Sequence, residues 1–497
     1  MGYQYTSTRD SSLSLPASQC ILRGISEEGG LFVSPLTETR RFEAEAFLGL
    51  GYPQTAKAIL STLLDDYTEE EVSECVERAY NLANFETGEI FPLTTKGSVS
   101  VLELYHGKTL AFKDAALSIL PHLMKTALGK NGLSHRIAIL TATSGDTGKA
   151  ALESFSNIDG FDAIAFYPHN GVGALQKLQM LTQEGSNTAA AAVVGNFDDA
   201  QAAVKEIFAD ESFGAALLEK GVALSSANSI NIGRLLPQIV YYYYAYAKLR
   251  ERGLIEDGEK VNFAVPSGNF GDILAGYYAM KTGLPVKKLI LASNDNAVLY
   301  DFFRTGVYDR RREFRKTISP SMDILISSNL ERLIFSAVGY SDRETSRLMG
   351  SLAEKGYYSM DSGNKALGSF YAARATESET RAAIKSAWEE KGLLIDTHTA
   401  CAYKAWQVWS AEAETGNEKP HTVILGTASP FKFPKTVLEA LFGTAPESEI
   451  DSMHALSEKT GHAIPRALDG IELKKARKEQ KLEKGSMREY ILRFLEG

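Results

Sequence analysis

Apolar positions recur at helical spacing in the first part of the chain, whereas from about residue 95 short apolar runs alternate with amphipathic stretches. The first pattern predicts helices within residues 40–85, at Arg41-Phe-Glu-Ala-Glu-Ala-Phe-Leu and at Glu69-Glu-Glu-Val-Ser-Glu-Cys-Val-Glu-Arg-Ala-Tyr. Acidic residues open the second of these, where they face the positive end of the helix dipole. The later pattern predicts buried strands at Arg136-Ile-Ala-Ile-Leu-Thr-Ala, Ala163-Ile-Ala-Phe-Tyr, Ala190-Ala-Ala-Val-Val, Val261-Asn-Phe-Ala-Val, Lys288-Leu-Ile-Leu-Ala and Thr422-Val-Ile-Leu. Strands alternating with helices predict a doubly wound α/β body in which crossover helices join parallel strands.

Local exceptions refine this picture. Pro121 interrupts the helical run Ala115 to Leu128 and should end or kink it. The rings of Tyr241, Tyr242, Tyr243 and Tyr244 point in different directions on a helix, which favours packing around an interior helix over base stacking. The tail from Glu472 interleaves Lys474, Lys475, Arg477, Lys478, Lys481 and Lys484 with Glu479 and Glu483, and reads as a solvated amphipathic helix. The expected divisions are a mainly helical N-terminal domain over 1–92, an α/β body over 93–440 and a C-terminal helical tail over 441–497.

Composition narrows the class of function. A chain of 497 residues, 44% hydrophobic and 23% charged, exceeds one ordinary domain and can bury a large core. Net charge of -9 argues against a nucleic-acid partner, which needs a basic surface. Cys20, Cys75 and Cys401 are few and widely spaced, so neither a disulfide framework nor a metal cluster is expected, and a reducing cytoplasm is the natural location. No apolar run approaches the ~20 residues that span a bilayer, so no membrane partner is expected.

The candidate chemistry lies in three places. Lys113 ends the apolar run of Glu103-Leu-Tyr-His-Gly-Lys-Thr-Leu-Ala-Phe-Lys113-Asp114, and a lysine amine held against apolar surface is easily deprotonated and can form a Schiff base. Two strand–turn–helix passages, Thr143-Ser144-Gly145-Asp146-Thr147-Gly148 and Pro266-Ser267-Gly268-Asn269-Phe270-Gly271-Asp272, aim free backbone N–H groups and a positive helix end at one place, an arrangement that binds anions. Neither has P-loop or GxGxxG spacing, which argues against ATP and dinucleotides.

Together with Ser226-Ala-Asn228-Ser229-Ile-Asn231-Ile-Gly-Arg234, these runs resemble threonine synthase of the longer bacterial and fungal type. The resemblance extends through Gly29-Gly30-Leu-Phe-Val, Gly195-Asn-Phe-Asp-Asp-Ala-Gln, Ser319-Pro-Ser-Met-Asp-Ile-Leu-Ile-Ser-Ser-Asn, Asp396-Thr-His-Thr-Ala and Gly426-Thr427-Ala-Ser429-Pro-Phe-Lys-Phe-Pro434. It implies a two-lobed fold type II body, similar to tryptophan synthase β, and pyridoxal 5'-phosphate as cofactor. The implied reaction is the conversion of O-phospho-L-homoserine and water to L-threonine and phosphate by γ-elimination and β-hydration, the last step of threonine biosynthesis.

Carried over by resemblance, Lys113 holds the cofactor and serves as base, while Gly268, Asn269, Phe270, Gly271 and Asp272 cup its phosphate. Thr427 faces the pyridine nitrogen, with Ser429 as the neighbouring candidate. Ser144 and Thr147 take the substrate carboxylate, and Asn228, Ser229 and Arg234 its phosphate. Turn chemistry also accounts for some of these, since Asn228 and Ser229 suit a helix cap and Thr427 a strand end. Two positions depart from the pattern: Lys108 stands where proline is usual, and Asp146 where related enzymes of this fold commonly have asparagine. A phospho-lyase releasing a keto acid and ammonia would use the same lysine and phosphate cradle; a serine or threonine dehydratase would have no use for Arg234. A non-catalytic binding protein of the same fold would not need Lys113. The expected partner is a small-molecule substrate, and the expected assembly is a monomer or homodimer.

Overall fold

The computed structural model describes residues 4–143, 145–413 and 420–496. Two sheets organise it. One has six strands in the order Phe370–Arg374, Val286–Ser293, Val261–Pro266, Thr422–Gly426, Val99–Glu103 and Leu93–Lys96, all parallel except the last pair. The other has five parallel strands in the order Gln480–Leu482, Thr188–Val193, Phe161–Pro168, Arg136–Ala142 and Val222–Ser225. All six runs read as strands from their apolar pattern are strands here. Phe161–Pro168 and Val261–Pro266 are buried along their whole length, as strands covered on both faces must be.

The helix Ile232–Glu251 runs through the interior, and Tyr241, Tyr242, Tyr243 and Tyr244 are all within 1% of complete burial. Each hydroxyl still finds an acceptor: Gln238 for Tyr241, the Asp272 carbonyl for Tyr242, the Ala279 carbonyl for Tyr243 and the Glu89 carbonyl for Tyr244. The N-terminal segment docks on this helix through Tyr52, whose ring meets Tyr80, Phe91 and Tyr244 edge-on at 4.9, 4.6 and 5.4 Å. Such pairs add about 0.5–1.5 kcal/mol each beyond burial.

Glu69–Ala79 is helical, opened by a reciprocal cap between Thr68 and Glu71. The stretch Arg41–Leu48 differs from expectation, forming only the 3₁₀ turn Ala44–Phe47. Gly49 has φ 76°, a left-handed geometry that stops a helix, and the next helix starts afresh at Tyr52 with Pro53 in its first turn. Pro121 breaks its run as expected: one short helix ends at Leu117 and another starts at Leu120.

The tail departs from the helical reading. Glu449–Thr460 and Met487–Glu496 are helices, but Gln480–Leu482 is an edge strand parallel to Thr188–Val193. Arg477 sends its guanidinium to the Gly185 carbonyl at 2.6 Å, Glu479 pairs with Lys177 at 2.6 Å, and Leu482 is buried. Tertiary contacts to the sheet edge therefore override the charge pattern that suggested a solvated helix.

Candidate active site

Five loops bearing the candidate residues leave the carboxyl ends of parallel strands, where open α/β sheets gather ligand contacts. They follow Val99–Glu103, Arg136–Ala142, Val222–Ser225, Val261–Pro266 and Thr422–Gly426. The loop to Lys113 is tightly held. Leu110 takes a left-handed backbone (φ 58°), the Ser429 N–H donates to its carbonyl at 3.0 Å, and the Phe112 N–H donates to the Thr427 carbonyl at 2.8 Å. Asp114 accepts from the Thr109 N–H and hydroxyl at 2.9 and 2.5 Å, and a Cβ on Gly107 would collide with its carboxylate. Thr427 is thereby set beside the lysine loop.

Lys113 is buried with its Nζ 4.9 Å from the Phe112 ring centroid and 3.8 Å from Asp146 Oδ2. Burial pushes its amine pKa below the ordinary lysine value, Asp146 opposes the shift, and the nearby cations Lys432 and Arg234 reinforce it. The shift is toward the neutral amine that nucleophilic and basic chemistry needs.

Asp146 opens the helix Asp146–Phe155. Its Oδ1 accepts from Gln176 at 2.8 Å and pairs with Lys432 Nζ at 2.7 Å, and its Oδ2 accepts from the Ser321 hydroxyl at 3.2 Å. Burial alone would raise its pKa, but Lys432 and Lys113 hold the carboxyl well below the usual range. Behind it, His398 Nδ1 is 2.6 Å from Asp396, and His398 Nε2 accepts from the Ser321 N–H at 3.1 Å, an arrangement that fits a neutral ring protonated at Nδ1. Asp396 also receives the N–H groups of His398 and Thr399, and the Thr399 hydroxyl in turn accepts from the Thr427 N–H at 3.3 Å. One buried network thus fixes Asp146, the segment around Ser321 and the loop of Thr427. Ser429 is committed elsewhere, since its hydroxyl accepts from the Phe431 N–H and caps the 3₁₀ turn Pro430–Lys432.

The turn Gly268–Asp272 starts the helix Gly271–Lys281. Phe270 has φ 64°, a conformation that non-glycine residues adopt at a cost of order 1–3 kcal/mol. Its ring does not face the turn but packs on Phe303 and Phe370 at 5.8 and 5.5 Å, so only its backbone is presented. A Cβ on Gly268 would come within 2.6 Å of the Ser321 carbonyl. The segment 319–329 backs the turn: Ser327 donates to the Gly268 carbonyl at 2.8 Å and the Asn329 N–H to the Asn269 carbonyl at 3.1 Å. The Asn269 side chain is exposed. Burial pushes the Asp272 carboxyl up to about 7.

Arg234 is buried on the first turn of Ile232–Glu251, with Nη1 donating to the Ala227 carbonyl at 2.9 Å. Its Nε has no hydrogen-bond partner among the described residues, and burial pushes its pKa down to about 10. A buried, unbalanced guanidinium of this kind asks for an anion. The cap of this helix is Asn231, whose side chain accepts from the Gly233 N–H at 2.8 Å. Asn228 and Ser229 therefore do not cap it; Asn228 is exposed and Ser229 half-buried, 3.5 Å from Asn329 Nδ2. Thr147 is half-buried in the first turn of its helix, and Ser144 lies outside the described residues. Sequence reasoning gave no role to Lys432, Ser321 or His398. Each sits inside a run that carried the resemblance, and that position was the one available signal.

The chain matches the families described as Threonine synthase N terminus over residues 4–80, Pyridoxal-phosphate dependent enzyme over 95–375 and Threonine synthase, C-terminal over 399–481. It is 37% identical to the threonine synthase of Pseudomonas aeruginosa across 89% of this chain and 91% of that one. It is also 37% identical to human threonine synthase-like 1 over 85% of its own length, but it spans only 58% of that relative. The crystal structure of pyridoxal-phosphate-bound threonine synthase from Brucella melitensis superposes with a TM-score of 0.85 at 35% identity, covering 99% of both chains. With three matching family segments in order, a curated relative of equal extent and a like fold end to end, the chain belongs to the threonine synthase family of pyridoxal-phosphate-dependent enzymes.

Proposed function

We propose that this protein converts O-phospho-L-homoserine and water to L-threonine and phosphate. The observation that carries the reading is Arg234: a buried guanidinium, without a carboxylate partner among the described residues, close enough to Lys113 to act on its amine. A dehydratase acting on an unphosphorylated amino acid would leave that cation uncompensated.

The residues present fit pyridoxal 5'-phosphate. Lys113 would supply a buried amine for the carbonyl carbon, the Gly268–Asp272 turn would supply N–H donors at a helix end for the phosphate, and Thr427 would supply a hydroxyl for the ring nitrogen. When bound, that cofactor supplies an electron sink for charge developing at the substrate α-carbon. Arg234 grips the substrate phosphate in bidentate fashion, with Asn228 and Ser229 at its edge, and orients the Cγ–O bond for departure. Ser144 and Thr147 hold the α-carboxylate at the start of their helix. Lys113, neutral, takes protons from the α and β carbons and returns them, and water enters at Cβ. The half-buried Phe112 ring and the buried Thr427 loop limit solvent around the amine.

The same reading divides the chain at 1–92, 93–440 and 441–497 and places the enzyme in the cytoplasm as a monomer or homodimer. Three buried free cysteines support a reducing compartment, and no helix among the described residues is long and apolar enough to cross a membrane. Product analysis after incubation with O-phosphohomoserine tests the function: threonine and phosphate in equal amounts are expected, and a keto acid with ammonia would replace this reading by the phospho-lyase.

A further inference from the structure

Asp146 is wedged between two buried lysines. Lys432, whose side chain is only 1% exposed, reaches Asp146 Oδ1 at 2.7 Å and donates to the Thr109 carbonyl at 2.9 Å, joining three loops of the site. Lys113 makes a looser ion pair with Oδ2 at 3.8 Å, outside hydrogen-bond reach. One carboxylate balances one ammonium. With Lys432 closing the pair, the buried triad is neutral only when Lys113 carries no charge. Without Lys432, the carboxylate would draw its cation from Lys113, because an uncompensated buried charge is costly.

The other groups around the pair pull in opposite directions, Arg234 disfavouring charge on Lys113 and Asp272 favouring it. Lys113 is faced by Asp146, Lys432, Arg234 and Asp272, and Asp146 is also faced by His398. His398 is held between Asp396 and the Ser321 N–H, so it offers Asp146 no direct hydrogen bond.

We propose that Lys432 is a positioning residue of the reaction, which closes the tighter of the two buried ion pairs on Asp146 and thereby weakens the hold of that carboxylate on a charged Lys113 nitrogen. This rests on the reading of Lys113 as the cofactor lysine. It also gives Asp146 a function: a carboxylate becomes tolerable beside the reacting nitrogen because Lys432 owns its charge.

The test is a pH titration of the visible absorbance of the holoenzyme, with the pH profile of kcat/KM as a second readout. Lys432→Met should move the absorbance midpoint upward by about one pH unit or more, tenfold in the protonation equilibrium, and carry the acid limb of kcat/KM with it. Lys432→Arg should restore the native midpoint, and so should Asp146→Asn combined with Lys432→Met, which removes both charges. A native midpoint in Lys432→Met overturns the proposal, as does a shift that the double variant fails to reverse. Where Lys432→Met does not fold, Lys432→Gln, which keeps a hydrogen-bond donor but no charge, takes its place: a raised midpoint supports the proposal, and a native one overturns it. Lys113→Ala separates the two readings. If the absorbance survives there, the assignment of Lys113 fails and this proposal with it; if it vanishes, the midpoints judge Lys432.

Discussion

The hydroxyl of Tyr242 donates a 2.6 Å hydrogen bond to the carbonyl of Asp272, running from the middle of one buried helix to the first turn of another. The tyrosine run thus supports the turn proposed to hold the cofactor phosphate. Tyr242→Phe keeps the ring packing on Phe263 but removes this bond. It should cost about 1 kcal/mol in folding free energy, the net value of one neutral hydrogen bond, and loosen cofactor retention. Urea unfolding and cofactor titration measure the two effects; unchanged cofactor affinity would detach the tyrosine run from the site.

Arg234 stores a cost in the ligand-free protein that the substrate relieves. Arg234→Met should raise the thermal stability of the chain, because a buried unbalanced cation is replaced by an apolar side chain of similar reach. It should also abolish turnover. Arg234→Lys keeps charge but loses the planar fork, so kcat/KM should fall by about 100-fold, near 3 kcal/mol, with the cofactor spectrum intact. Loss of the cofactor in Arg234→Lys would mean the residue has been given the wrong anion.

His106 bridges the N-terminal segment to the catalytic body, with Nδ1 3.2 Å from Glu86 and Nε2 2.7 Å from Glu103. Burial opposes its protonation, yet the hydrogen bonds to the two carboxylates win and raise its pKa to about 9. A raised histidine pKa stabilises the fold fully below the unfolded value near 6.5, and that contribution is lost as pH rises through about 9. Native protein should therefore lose roughly 3 kcal/mol relative to His106→Gln between pH 6 and pH 10. Parallel unfolding curves for the two proteins across that range would remove the ion bridge.

Thr427 and Ser429 separate by what each hydroxyl does. The backbone of Thr427 already binds Thr399 and Phe112, so Thr427→Val should fold normally and weaken cofactor seating by about 1 kcal/mol. Ser429→Ala should instead cost about 1 kcal/mol of folding stability through loss of the cap on Phe431 and leave the absorbance spectrum native. The reverse outcome would exchange their roles.

The parallel strands and the turns at their ends were legible because fully buried strands read as apolar runs closed by glycine turns. Arg41–Leu48 misled because its apolar spacing is helical while the geometry at Gly49 stops a helix. The tail misled because one edge strand is held by distant partners, Gly185 and Lys177, that local charge pattern cannot reveal. Within the site, Lys113 and Arg234 stood out by residue type and setting. Lys432 and His398 did not, since their meaning lies in contacts with Asp146 and Ser321 across more than 70 positions of sequence.

In the proposed reaction the Cγ–O bond of the substrate breaks by elimination and water then adds at Cβ. Turnover of O-phosphohomoserine in ¹⁸O-labelled water examines both steps at once by mass spectrometry. Threonine carrying one ¹⁸O in its hydroxyl, beside phosphate free of label, is the predicted result. Label in the released phosphate, with homoserine as product, would mean hydrolysis of the phosphate ester and would contradict the account, as would ammonia and a keto acid without threonine.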